Sequence, residues 1–297
     1  MIDNKAKDWR GYITGDASEV EGFFHNQYKP FVMHYANLLK EVVNIFYLGS
    51  ELEGLTFIKG NGSEFHFVSC LVELAADVRA IVGDEVKISY AANWSEYHSC
   101  KGGYRHLDAL WSNDNINFVG IDYYMPLTDH RGEEEISLEQ IKQGFVSGEG
   151  MDYWLNGEEQ VAFTDPGAKW KDLDRWWRSQ HWGWNPELNE SFKTEWAPKS
   201  KPIILSEYGF RSMDKTTNQP NIFGDNLPKH SSGEPDEGLQ LTAIRAMIEH
   251  IEDSPSIESG FCYGWDSRGA GWPAVYKDGK HWFTGHWIDG KIKKVSR

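Results

Sequence analysis

Apolar residues along this chain follow two patterns: short unbroken runs, and longer stretches with apolar positions three and four apart. Runs of the first kind occupy 42–48, 86–92, 116–121, 203–205 behind Pro202, and 257–263. Bounded by turn residues, they predict buried strands of a parallel sheet. The second pattern begins with Phe23, Phe24, Tyr28, Phe31, Val32, Tyr35, Leu38 and Leu39. It predicts a helical stretch over 20–42, kinked or divided at Pro30. Further helices are expected over 64–81 with Gly83 as C-terminal cap, at 106–111, near 138–145 and 170–177, and over 237–251. Strand and helix alternate, so the expected fold is α/β with helical crossovers. Without an internal repeat or a low-complexity linker, 1–297 reads as a single domain.

The strand ends carry the candidate chemistry. The first run leads into Gly49-Ser50-Glu51 and the second into Asn93-Trp94-Ser95-Glu96. The third reaches Asp122-Tyr123-Tyr124, the fourth Glu207, and the fifth Gly264-Trp265-Asp266. In an α/β barrel the C-terminal ends of the strands form the face on which active sites are assembled. An acidic functional cleft is therefore expected. For any one strand the alternative is a carboxylate that caps a helix or pairs with a rim arginine.

Charge narrows the partners. With 45 acidic against 30 basic residues the formal net charge is −15, which argues against nucleic acid or an anionic membrane surface. No apolar stretch approaches the roughly 20 residues of a membrane span. The start, Met1-Ile2-Asp3-Asn4-Lys5, has no apolar signal core, which implies cytoplasmic synthesis. Cys70, Cys100 and Cys262 have no metal-ligand spacing and read as reduced thiols. The 11 histidines show neither HxH nor HExxH, and there is no GxSxG elbow or phosphate loop. No cofactor is implied. A Mg or Ca site built from Glu51, Asp122, Glu207 and Asp266 remains the metal alternative.

Tryptophan is the outlying residue type. Half of the 14 lie between Trp154 and Trp196, inside a long excursion at about 126–200. Flat indoles near a surface suit stacking against sugar rings; the alternative is a small local core under an insertion. Two glutamates at the ends of different parallel strands are what retaining glycoside hydrolysis requires, one as acid/base and one as nucleophile. Tyr123 or Tyr124 is placed to donate to the nucleophile, and Trp265 to floor a sugar site.

Several segments carry a resemblance: GSELEGLT, ISYAANWSEY, FVGIDYYMPL, SEYG with DKTTNQPN downstream, and GWDSR with GHWIDGKI. From Trp9 to Ile292 they resemble the TIM-barrel-like domain of gene transfer agent and phage tail-hub proteins, which is itself similar to clan A glycoside hydrolases. The resemblance implies a (β/α)8 barrel with the acid/base glutamate on strand four and the nucleophile on strand seven, here Glu51 and Glu207. It implies a substrate-binding set of Asn93, Trp94, Asp122, Tyr123, Tyr124, Trp265, Asp266 and Arg268. The implied partners are a carbohydrate (peptidoglycan or a surface polysaccharide) and tail-assembly proteins, with association to a particle tail. Ser50 departs from the pattern, because clan A enzymes usually place Asn before the acid/base glutamate. The first run corresponds to strand four, so an incomplete barrel is expected, either a piece of a longer protein or one completed by another chain. The alternative function is a catalytically silent structural or glycan-binding module of a tail tip.

Overall fold

The computed structural model describes residues 3–4, 9–60, 65–99, 103, 105–185, 189–222 and 226–263. Strands β1 (Ile45–Ser50), β2 (Lys87–Asn93), β3 (Val119–Tyr123), β4 (Ile203–Tyr208) and β5 (Ile257–Cys262) form one parallel sheet. Their order across the sheet, β5-β4-β3-β2-β1, follows the chain, as successive crossovers dictate. The expected α/β class therefore holds, with the five strands foreseen. The described residues divide into two compact units. One is drawn from Met1–Asp122 and Arg175–Ile204, the other from Tyr123–Asp174 and Leu205–Arg297.

In the first unit the predicted helical stretch is α1 (Ala17–Phe23), a π-turn (Phe24–Tyr28) and α2 (Lys29–Leu39). Pro30 explains the division. It has no N–H to donate, and the preceding Lys29 N–H reaches five residues back to the Phe24 carbonyl, so the wider turn absorbs the proline. The strand expected from 42 starts at Ile45, because the Val42 and Val43 amides bond back to the Leu39 carbonyl and close the helix. Helix α3 (His66–Val82) buries Phe67, Leu71, Leu74 and Val78 at helical spacing and packs against α1, α2, β1 and β2. Gly83 caps it at φ 74°, its N–H on the Arg79 carbonyl, as its position after the apolar stripe foretold. A short helix follows at Asp108–Trp111.

The tryptophan-rich stretch divides between a buried local core and an exposed surface. Trp176 and Trp196 are buried with the His181 ring beside both, at centroid distances of 4.8 and 5.2 Å. His181 Nδ1 meets Asp108, and Thr194 donates to the same carboxylate at 2.6 Å, which pins this local core. Trp182 and Trp184 stand exposed on an antiparallel hairpin, Trp182–Asn185 with Glu190–Lys193, that the polar sequence did not announce.

In the second unit, helix α4 (Glu237–Asp253) packs on the helix Leu138–Gly144 and on β5. Phe145 stacks flat on His250 at 4.0 Å, and burial lowers the His250 imidazole to about 4. A second unforeseen hairpin, Tyr153–Asn156 with Glu159–Ala162, turns at Gly157 with φ 67°. Among the described residues no helix is long and apolar enough to cross a membrane.

Candidate active site

In the first unit, Glu51 follows the last residue of β1. The β1–β2 register slips between Tyr47 and Ser50, and Glu51 then takes φ 50° while its N–H still bonds the Ala91 carbonyl at 2.8 Å. Left-handed backbone costs a non-glycine residue about 1–2 kcal/mol. Here it coincides with a carboxylate held on both oxygens. Asn93 Nδ2 donates to Oε1 at 2.6 Å, Trp9 Nε1 donates to Oε2 at 2.8 Å, and Arg10 lies 3.2 Å from Oε2. The Glu51 side chain is 10% exposed, and each partner of its oxygens is a donor.

The holders are themselves held. Asn93 Oδ1 accepts from the Ser95 amide at 3.0 Å, which sets the amide group so that Nδ2 faces Glu51. Arg10 Nε donates to the Ser50 carbonyl and its Nη2 to Ser50 Oγ, which passes its own hydrogen to Asp122 at 3.0 Å. Ser50, standing where the resemblance leads one to expect Asn, thus links Arg10 to a fully buried Asp122. Gly11 lies under the Trp9 indole, where a Cβ would come within 2.4 Å of the ring, and Gly54 leaves room for the Gly11 and Ile13 carbonyls.

Behind Glu51 is a second carboxyl, Glu96, fully buried. It accepts from Thr56 Oγ1 at 2.6 Å, Tyr90 Oη at 2.9 Å and the Asn93 amide at 3.1 Å. The Tyr90 hydroxyl in turn accepts from the Leu52 amide at 2.6 Å. Glu96 therefore ties the residue after Glu51 to the residue that binds it. Burial, the largest influence, raises its carboxyl to about 8, assisted by the nearby Glu53 and opposed by these donors.

In the second unit, Glu207 lies within β4, and Tyr124 Oη donates to its Oε2 at 2.8 Å. Of the two tyrosines following Asp122, Tyr124 makes this contact. Tyr123 alternates to the other side, packs its ring 6.3 Å from that of Phe145, and is raised well above the usual phenol range by burial. Its side chain is buried in the core of the unit. Trp94 is half-buried. Trp265, Asp266 and Arg268 lie outside the described residues. Among those described, no group of three or more His, Cys, Asp and Glu side chains is placed to hold a metal ion.

Trp9 and Arg10 escaped the sequence reading as site residues. Their one signal was an aromatic–basic–glycine step, Trp9-Arg10-Gly11, in an otherwise polar start. Sequence spacing could not reveal a contact made 42 positions away.

Residues 26–268 match the GTA TIM-barrel-like domain. Among solved structures, the chain is similar to a GH113 β-1,4-mannanase complex, with 14% identity over 86% of this chain and 58% of that one, at TM-score 0.49. The GH113 β-mannanase AaManA from Alicyclobacillus acidocaldarius gives 16% identity over 88% and 57%, at TM-score 0.48. A β-glucuronidase from Faecalibacterium prausnitzii gives 13% over 86% and 31%, at TM-score 0.42. The chain thus spans less than three fifths of the length of these mannanases. Among curated proteins, none matches it.

Proposed function

The chain belongs to the family of GTA TIM-barrel-like domains, and from that premise we propose that it is a retaining glycoside hydrolase acting on a cell-envelope glycan as part of a gene transfer agent or phage tail assembly. Glu207 is the nucleophile and Glu51 the acid/base. The observation that carries the reading is the hydrogen bond from Tyr124 to Glu207. A phenol donating to a carboxylate oxygen stabilises the charged form, which is the form that attacks the anomeric carbon. In the first step Glu51 gives its proton to the departing glycosidic oxygen while Glu207 forms the ester to the sugar. In the second, Glu51 takes a proton from water, whose oxygen attacks the anomeric carbon and frees Glu207. Asn93, Trp94 and the tryptophan-rich hairpin supply polar and stacking contacts to the sugar.

One observation favours the second reading, a glycan-binding module without turnover. Glu51 faces only donors, from Trp9, Arg10 and Asn93, so a proton loaded on it has no acceptor until the Trp9–Arg10 segment moves aside. Incubating the protein with cell-envelope polysaccharide and peptidoglycan, and following new reducing ends, separates the two. Turnover that is lost in Glu207→Gln and in Glu51→Gln, with binding retained, supports the hydrolase. Binding without turnover in the unsubstituted chain supports the module.

A further inference from the structure

Within the second unit is a cleft of about 280 Å³ that takes no part in the chemistry above. Its wall is the loop after β3, Pro126 to His130, and that loop is rigidly anchored. Leu127 N–H bonds the Thr217 carbonyl, Thr128 Oγ1 lies 2.6 Å from Asn218 Oδ1, and Asn218 Nδ2 returns bonds to the His130 and Lys229 carbonyls. This gives the DKTTNQPN segment a structural task, clamping the cleft wall. Gly144, which also lines the cleft, packs on this wall so closely that a Cβ there would lie 1.8 Å from the Leu127 oxygen.

Two lining charges have no salt-bridge partner among the described residues. Lys171 is 3% exposed; two of its ammonium hydrogens go to the Gly144 and Ser147 carbonyls at 3.1 and 3.0 Å, and the third is unspent. Glu149, half-buried, is the other. Asp129, by contrast, is already matched by Lys229 at 2.9 Å and Arg131 at 3.3 Å. Burial lowers Lys171 to about 8 and raises Glu149, each only partly opposed by the other's charge. A buried charge left so is costly unless something hydrogen-bonds it.

We infer that this cleft binds one uncharged sugar ring, whose neighbouring hydroxyls accept from Lys171 and donate to Glu149 while Ile136 and Tyr153 meet its C–H face. Hydroxyls serve because each both donates and accepts, so one neutral ligand satisfies two opposite charges; an anion would satisfy Lys171 and be repelled by Glu149. The volume is near the lower limit for ligand sites and matches a single ring rather than a chain. The choice of a sugar over another polyol rests on the glycan reading above.

Saturation-transfer NMR and titration calorimetry with methyl glucoside, methyl mannoside, N-acetylglucosamine and glucuronate test it. Expected is millimolar binding of at least one neutral sugar, weakened about tenfold or more in Lys171→Met and in Glu149→Gln, and unchanged in Glu207→Gln. Glu149→Gln removes no helix-end contact, so it remains informative if Lys171→Met fails to fold. The inference is overturned by the absence of neutral-sugar binding, by preference for glucuronate, by affinity that Glu149→Gln leaves unchanged, or by loss in Glu207→Gln alone. Loss of hydrolysis in Glu207→Gln with this binding intact separates the two claims.

Discussion

Tyr124 donates to Glu207 across 83 positions of sequence, at 2.8 Å, while its neighbour Tyr123 turns away into the core. One residue of strand register decides which of two identical side chains meets the carboxylate.

Tyr124→Phe tests that contact. The ring volume is kept and the donor removed, so a hydrogen bond to a charged group worth about 1.5–3 kcal/mol is lost. If Glu207 is the nucleophile, kcat on a cleaved glycan falls roughly 10- to 100-fold with little change in KM. A change confined to KM would assign the hydroxyl to substrate binding instead. Tyr123→Phe should leave both constants unaltered.

These two tyrosines also mark how far the sequence could be read. Runs such as 203–205 announced their strands because a buried parallel strand must be apolar on both faces, and Gly83 announced a helix end because few residues adopt its φ. Glu51 and Glu207 were legible as residues at strand ends. What surrounds Glu51 was not, since Trp9 and Arg10 reach it through tertiary packing that leaves no periodic trace. The two hairpins were missed for a related reason: 190–193 is exposed throughout, so no apolar alternation marks it.

Trp9→Phe should show how strongly the N-terminal segment is held. It leaves Glu51 Oε2 with Arg10 alone and removes a donor from a largely buried carboxylate. A loss of about 1.5–3 kcal/mol in urea unfolding is expected. Equal stability in the two proteins would mean that water replaces the indole at no cost.

Gly144→Ala should be among the most damaging single-methyl additions in the chain. The added Cβ would lie 1.8 Å from the Leu127 oxygen and 2.9 Å from its Cα, and both are backbone atoms fixed by the Thr217 bond. Overpacking of this kind costs about 1–3 kcal/mol or more. The expected result is a clear fall in melting temperature together with weaker sugar binding in the cleft beside it. Gly22→Ala, where a Cβ meets nothing within 4 Å, is the control and should be neutral or stabilising.

Glu96 makes stability depend on pH in a direction opposite to that of a carboxylate held ionised by an ion pair. Its carboxyl is raised to about 8 in the folded protein, mainly by burial, against 4.5 for the unperturbed group. The native state therefore holds a proton between those values that the unfolded chain has released. The contribution of Glu96 is complete below about pH 4.5, declines as pH rises through the window, and levels off above about 8. The slope within it approaches about 1.4 kcal/mol per pH unit for one proton. Glu96→Gln cannot ionise, so the stability difference between the parent chain and this variant should shift steadily in the variant's favour from pH 5 to 8. Urea unfolding of both proteins at intervals across that range measures it, and taking the difference cancels the other titrating groups. A constant difference would show that Glu96 ionises in the folded chain as readily as in the unfolded one. In that case the three donors from Thr56, Tyr90 and Asn93, rather than burial, would govern the carboxyl behind Glu51.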